Sequence, residues 1–69
     1  MHYYLFIDYP SLQNFVVEAP DLDEAIKIAE ANVWQINDDY FGAEYIDIDY
    51  EYEIDFNEFL EMSADIPLF

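Results

Sequence analysis

Apolar and polar residues recur with two different periods along the chain, and these periods predict its secondary structure. Residues 2–8 and 13–19 are rich in aromatic and β-branched residues, which predicts two strands joined by a turn at the segment YPSLQ. Residues 44–54 alternate between apolar and acidic or aromatic positions, which predicts a third strand. We expect the first two strands to form a hairpin, and the even positions of the third strand, Ile46 to Ile54, to face the core.

A helix is predicted between the second and third strands, over residues 20–36, because apolar residues recur there three or four positions apart. Asp21 is a suitable N-cap, and Glu24 three residues later forms a capping-box-like pair with it. A further short helical turn is predicted around residues 57–62, followed by a tail. The apolar side of the main helix consists of Leu22, Ala25, Ile26, Ala29, Val33 and Ile36.

The element order β-β-α-β predicts a small α+β domain, in which one helix packs on one face of a three-stranded sheet. With 69 residues the chain has the length of a single domain, residues 1–69. It contains no cysteine, so no disulfide supports the fold. Asp8 comes too early for a signal peptide, and no apolar run approaches the ~18 residues of a membrane span, so we expect a cytoplasmic protein.

The charge of the chain is far from balanced: 17 acidic residues stand against one basic residue, Lys27, for a net charge of -16. Solubility needs a net charge of only about 2 to 8 in a small domain. Sixteen phosphate charges occupy about 27 Å of duplex DNA, close to the ~28 Å diameter expected for a protein of this length. The chain thus matches DNA in charge per unit length, and we expect a basic protein rather than a nucleic acid as its partner.

Acidic residues follow one another at alternate positions of the predicted third strand. Side chains two positions apart on a strand point the same way, about 6.5 to 7 Å from each other, which predicts a row of carboxylates on one face. The alternative is a solvated outer face, or a charged edge strand that prevents sheets from pairing edge to edge. The row consists of Asp47, Asp49, Glu51, Glu53 and Asp55. The other predicted partner-binding residues are Trp34, Asp38, Asp39, Glu44 and Tyr45.

Metal binding and catalysis are the competing explanations for these carboxylates. The segment DIDYEYEIDFNE has acids at positions 1, 3, 5 and 12 of a calcium loop, but Tyr52 stands where that loop requires glycine. A strand also spreads its carboxylates too far apart to surround one ion. His2 is the only histidine and no nucleophile is placed to work with it. We therefore expect no metal site, no cofactor and no enzymatic activity.

Aromatic residues outside the predicted core give a second functional hypothesis. Trp34 lies off the apolar side of the helix, and Tyr40 and Phe41 lie in the following loop. Exposed rings within an acidic surface are typical of protein-binding hot spots, although a small domain exposes some rings in any case. The alternative function is therefore a general interaction module, such as an adaptor or an immunity-type protein, that binds through this aromatic patch.

In size, charge and aromatic content the chain resembles the small DNA-mimic inhibitors encoded by bacteriophages. It is similar among these to anti-CRISPR proteins and to inhibitors of restriction or of uracil-DNA glycosylase. The resemblance rests on composition and on the segment EYIDIDYEYEID, residues 44–55. It implies an inhibitor that occupies the basic nucleic-acid-binding groove of a host defence complex, a CRISPR effector first, in the cytoplasm of the host cell. We expect a monomer, with a homodimer through the apolar first strand as the alternative.

Overall fold

The computed structural model describes residues 1–62 and 65–69. Its three strands form one antiparallel sheet in the order β2-β1-β3, with one main helix and a second, shorter helix. This confirms the predicted α+β fold. The elements are β1 (His2–Asp8), β2 (Gln13–Ala19), α1 (Leu22–Asn32), β3 (Ile48–Ile54) and α2 (Phe56–Glu61), with short 3-10 helices at Val33–Gln35 and Asp38–Tyr40.

The β1–β2 hairpin has the bounds that the sequence predicts. Its register pairs His2 with Ala19 at one end and Asp8 with Gln13 at the other. Leu12, in the connecting turn, has a φ of 58°, a left-handed conformation that is uncommon outside glycine. The hairpin makes β1 the central strand, because β3 pairs with its other edge.

β1 is apolar on both faces, so the sheet has a core on each side. On the first face, Tyr4 and Phe6 pack with Phe15, Val17 and α1. On the second face, Leu5 packs with two buried residues of the neighbouring strands and with the α2 region. The members of this second cluster are Leu5, Val16 and Ile54, with Tyr3, Phe59, Met62 and Ile66 packed against them. The alternating aromatic and aliphatic residues of β1 therefore serve two cores.

α1 begins where the sequence predicts, since the Asp21 side chain accepts a hydrogen bond of 2.8 Å from the Glu24 backbone N–H. The α-helix ends at Asn32, and the predicted continuation to residue 36 is a 3-10 turn. Ala25 and Ala29 are fully buried, whereas Ile26 is 37% exposed. The prediction that Ile26 is buried was wrong, because α1 packs mainly over β2 and leaves the side of the helix nearest β3 uncovered.

β3 differs most from its prediction. It begins at Ile48 rather than at residue 44, since β1 ends at Asp8, the partner of Ile48, and offers residues 44–47 no strand to pair with. A β-bulge also interrupts its register: Leu5 pairs with Tyr52 and the adjacent Phe6 pairs with Tyr50, so Glu51 is an extra residue.

The bulge shifts the phase of β3, so its even positions do not all face one core. Ile48 and Tyr50 pack on the α1 side, whereas Ile54 is buried on the α2 side. Tyr52, predicted to lie in the core, is half exposed. The expectation that every even residue from 46 to 54 faces the same core was therefore wrong.

The chain end covers the outer edge of β2. Val16 donates a backbone hydrogen bond of 2.9 Å to Pro67, and Phe69 donates one of 2.8 Å back to Val16. Glu18 donates a third, of 2.9 Å, to Phe69. Among residues 1–62 and 65–69, no strand pairs in the same way with the outer edge of β3.

Candidate protein-binding surface

Asp49 and Glu51 form the centre of the candidate surface, which we call the acidic pair. Asp49 lies opposite Ile7 on the sheet face that is turned away from α1. The Tyr9 hydroxyl donates to Asp49 Oδ2 at 3.4 Å, and Asn14 Nδ2 donates to Glu51 Oε1 at 2.7 Å. Since Asn14 belongs to β2, a side chain from the far strand reaches across the sheet to hold a carboxylate of β3. The acidic pair is thus positioned by the turn that follows β1 and by β2.

The pKa of Tyr9 is affected by the negative charge around the acidic pair. The charge of Asp49 raises the pKa of Tyr9 above its ordinary value, with burial, the hydrogen bond to Asp49, and the charges of Glu51 and Asp47 adding to the effect. Lys27, the one Lys or Arg of the chain, lies on α1 with its Nζ 3.8 Å from Glu24 Oε2. It therefore has a carboxylate of its own helix as its partner.

The predicted row of five carboxylates is not one row. Because of the bulge, Glu53 lies opposite Tyr4, on the α1 side, where its Oε2 is 3.2 Å from Nδ1 of His2. Asp55 lies beyond the strand and is the N-cap of α2: it accepts from the Glu58 backbone N–H at 2.7 Å. Glu58 completes a capping box with Asp55, a D-x-x-E signal that is visible in the sequence.

The other predicted site residues lie in the connection between α1 and β3. Asp38 and Asp39 are exposed in the second 3-10 helix, whose N-cap is Asn37. Glu44 and Tyr45 are exposed in the loop that follows. Asp47, in contrast, is half-buried, and its backbone N–H and carbonyl both contact the Tyr40 hydroxyl at 3.2 and 3.3 Å. Of these residues, Asp47 is the one that the structure brings near the acidic pair, because Tyr9 donates a backbone hydrogen bond of 3.1 Å to its carbonyl.

Sequence reasoning missed a buried carboxylate, Asp8, which fixes this connection. Asp8 accepts hydrogen bonds from Ser11 Oγ at 2.6 Å, from Asn37 Nδ2 at 3.1 Å and from the Tyr40 hydroxyl at 2.5 Å. Burial raises the pKa of Asp8, but these hydrogen bonds outweigh burial and hold it below its ordinary value. An aspartate just before a Pro-Ser turn is the one signal that could have indicated this role.

Tyr40 is the partner of Asp8 from the connection between α1 and β3. Burial, followed by the hydrogen bond to Asp8, raises the pKa of Tyr40 to about 12. The sequence had placed Tyr40 in a turn or outer position, whereas the structure makes it half-buried. Its place in a turn is as predicted, since it ends the 3-10 helix Asp38–Tyr40. Its hydroxyl lies at the end of β1, where it also contacts the backbone of Asp47.

Exposed rings form a second candidate surface. Trp34 is 43% exposed and Phe41 78% exposed, and their ring centroids are 5.8 Å apart in an edge-to-face arrangement. A separate group of exposed apolar side chains, Tyr52, Phe56 and Leu60, lies on β3 and α2. The sequence singled out Trp34 and Phe41 but not this second group, whose exposure depends on the bulge and on the orientation of α2.

Comparison with protein-family models, curated proteins and solved structures finds no match to this chain. Within residues 1–62 and 65–69, no three His, Asp or Glu side chains are grouped so that they could hold a metal ion. In the same part of the chain, every helix is too short or too polar to cross a membrane.

Proposed function

We propose that this protein binds a basic nucleic-acid-binding surface of another protein and excludes DNA from it. The observation that carries this function is the acidic pair, whose two carboxylates are held on a rigid sheet by Tyr9 and Asn14. Carboxylates in fixed positions lose little conformational entropy on binding, so they can form charge-assisted hydrogen bonds with arginine and lysine at lower cost.

The distribution of charge supports the same function. Of the 17 acidic residues, Asp8 is buried, Glu18 and Asp47 are half-buried, and the remaining 14 are exposed. With one Lys and no Arg in the chain, the exposed acids create a strongly negative potential around the whole molecule. Such a potential steers a protein towards a basic groove in the way that DNA is steered.

A CRISPR effector complex is the first target to test, since the phage-encoded inhibitors that the chain resembles include anti-CRISPR proteins. Inhibition would consist of occupying the groove, so that DNA is excluded by competition and no bond is made or broken. The functional group of the inhibitor is then its set of carboxylates, and affinity should fall steeply as salt rises.

The experiment that tests this function starts with capture of partners from bacterial lysate at low salt, with the bound proteins identified. The purified partner is then titrated with labelled duplex DNA, and this protein is added as the competitor. We expect DNA and this protein to displace each other. The affinity of this protein for the partner should fall at least tenfold between 50 and 200 mM salt, because the release of several counterions has about that effect over this range. Simultaneous binding of DNA and this protein to the partner would rule the function out.

A double variant identifies the surface that binds. Asp49→Asn with Glu51→Gln removes two charges from the acidic pair, and Asp23→Asn with Glu61→Gln removes two exposed charges from the helices. Both doubles have the same net charge and the same types of substitution. We expect the first double to weaken competition about tenfold more than the second, at roughly 0.5 to 1 kcal/mol for each extra contact. Equal losses would mean that only the net charge matters.

The exposed rings favour a second candidate function, a general interaction module. The observation that favours it is the contact between Trp34 and Phe41, two large side chains that are left in water beside each other. In this case, replacing both rings with alanine should abolish binding of the captured partner while the acidic-pair double leaves it intact. Binding should also persist in 1 M salt, where the Debye length is about 3 Å.

A further inference from the structure

A cleft of about 150 Å³ lies between α1 and β3. It exists because α1 packs over β2 and β1, so that the apolar residues of β3 on the α1 side are only partly covered. A fourth strand or a second helix would fill this space in a larger domain. Here the cleft is partly open to solvent, and Ile26 of α1, which lines it, is left 37% exposed.

The cleft has an apolar lining with acidic residues on it. Its lining includes Phe6, which is buried, and isoleucines that come from α1, from β3 and from the segment just before β3. Two acidic residues are among its lining: Glu30, exposed on α1, and Asp49, which lies opposite Ile7 on the sheet face turned away from α1. The full apolar lining is Phe6, Ile26, Ile46, Ile48 and Tyr50.

These surroundings suit one kind of side chain. Lysine and arginine bury their methylenes along apolar surface while the charged head stays in water near a carboxylate. A water molecule takes up about 30 Å³, so the cleft has room for roughly five groups of that size, as many as the four methylenes and the ammonium of lysine. A neutral apolar side chain in the cleft would take water from the Glu30 carboxylate without giving it a partner. An anion would be repelled by the same carboxylate.

We propose that the cleft receives a lysine or arginine side chain presented by the basic partner. This inference rests on the proposed function and deepens it, because it names the anchor that the partner supplies. The acidic exterior then steers the partner, and the cleft selects a cationic side chain with a long apolar stem. Asp49 touches the cleft but lies opposite Ile7 on the other face of the sheet, so Glu30 is the carboxylate that meets the cation on the α1 side.

The test uses n-butylammonium, which has the four carbons and the charge of a lysine side chain. Nuclear magnetic resonance of the full chain follows the methyl signals of Ile26, Ile46 and Ile48 at constant ionic strength. We expect saturable shifts with n-butylammonium, and binding at least tenfold weaker for methylammonium, because each methylene that leaves water contributes about fourfold. Equal shifts with both ions, or shifts without saturation, would overturn the inference.

Two variants locate the site. Glu30→Gln removes the carboxylate of the cleft, and Glu61→Gln makes the same change on α2, away from it. We expect Glu30→Gln to weaken n-butylammonium binding about two- to fivefold, as for other partly exposed ion pairs, and Glu61→Gln to leave it unchanged. The same loss in both variants would show non-specific attraction and would count against the cleft.

The inference and the proposed function fail in distinguishable ways. Saturable binding of n-butylammonium, together with a captured partner that DNA does not displace, supports the cleft and removes the DNA-mimic function. A partner that DNA displaces, together with an absence of n-butylammonium binding, removes the cleft and leaves the function. Ile26→Phe provides a further check: by filling the cleft it should abolish the n-butylammonium shifts while the remaining amide spectrum shows an intact fold.

Discussion

The two outer edges of the sheet are treated in opposite ways. The edge of β2 is covered by the chain's own residues 67–69 through three backbone hydrogen bonds. The edge of β3 is left without a strand partner in the part of the chain that the structure describes, and it carries the acidic pair. Covering and charge are both known ways to prevent edge-to-edge association. An edge that is protected by charge keeps its backbone groups accessible, whereas an edge that is protected by a covering segment has them already paired.

Removing the cover from the β2 edge should have the largest effect. Deleting residues 67–69 removes three hydrogen bonds and the contact between the Phe69 and Phe15 rings, whose centroids are 5.8 Å apart. We expect the free energy of unfolding to fall by about 3 kcal/mol or more, since each hydrogen bond contributes roughly 1 kcal/mol net. Urea denaturation measures this loss. Leu68→Ala is the control, because Leu68 is exposed and its backbone pairing would persist.

Dimerisation of this truncated chain would show that residues 67–69 protect the β2 edge from association. Its β2 edge is uncovered and has two fewer charges than the edge of β3 over the paired segments, so self-association through β2 is expected. Size-exclusion chromatography with light scattering distinguishes monomer from dimer. A truncated chain that stays monomeric at high concentration would show that the tail serves packing rather than edge protection.

The next largest effect is expected at Asp8, whose buried carboxylate holds the connection between α1 and β3. Asp8→Asn replaces an acceptor of three hydrogen bonds with an amide, and we expect a loss of about 2 kcal/mol. Asp38→Asn, at an exposed position, is the control. Because the pKa of Asp8 is lowered in the folded state, its contribution is present above the unfolded pKa of about 3.9 and is lost as pH falls through the folded pKa.

The pH dependence of the difference between wild type and Asp8→Asn isolates this carboxylate. The other acids add repulsion that disappears on protonation, and this affects both proteins alike. We expect the difference in unfolding free energy to be constant above about pH 5 and to shrink below about pH 4. A difference that is the same at pH 3 and pH 7 would contradict the role of the ionised carboxylate.

A smaller effect is expected at Asn14, which links the far strand to the acidic pair. Asn14→Ala removes the bonds to Glu51 and to the Phe6 carbonyl, so we expect a loss of about 1 kcal/mol. Competition with DNA for the partner should weaken as well, since Glu51 would no longer be held. Gln13→Ala, on the same strand and exposed, should change neither. Loss of stability with unchanged competition would separate folding from binding.

The smallest effect on stability is expected when the acidic pair is neutralised. Asp49→Asn with Glu51→Gln relieves repulsion on an already acidic molecule. The free energy of unfolding, measured by urea denaturation, should therefore rise slightly, by no more than about 0.5 kcal/mol. The control double, Asp23→Asn with Glu61→Gln, removes the same charge elsewhere. Self-association of the first double alone would show that the acidic pair protects the β3 edge; if neither double associates, the pair is not needed for that protection.

Local signals were sufficient for the hairpin and for the start of α1. β1 and β2 match their predicted bounds, and Asp21 is the N-cap that the sequence indicates. β3 was harder to predict because tyrosine is stable on either face of a sheet, so the alternation of Tyr50 and Tyr52 with acids continues through the bulge without a visible break.

The candidate site depends on the strand register and on contacts between residues that are distant in the sequence, and local sequence patterns do not specify these. Exposure of the acidic residues followed from composition, but the division of the predicted row between two faces followed from the bulge at Glu51. The cleft arises from where α1 lies over the sheet, and no residue pattern specifies that position. Asp8 was hidden for a similar reason, because two of its three partners, Asn37 and Tyr40, are about thirty residues away.

The bulge at Glu51 also has an evolutionary consequence. β3 contains one residue more than β1 needs, which lets Ile48 and Tyr50 join one core and Ile54 join the other. Loss of the codon for Glu51 would leave a regular strand in which all the remaining side chains keep their present faces. Loss of the codon for Tyr50 or Tyr52 would instead bring Glu51 opposite Phe6 or Leu5, so a carboxylate would replace a ring on that face. Within β3, Glu51 is therefore the position at which a single-residue deletion would be best tolerated.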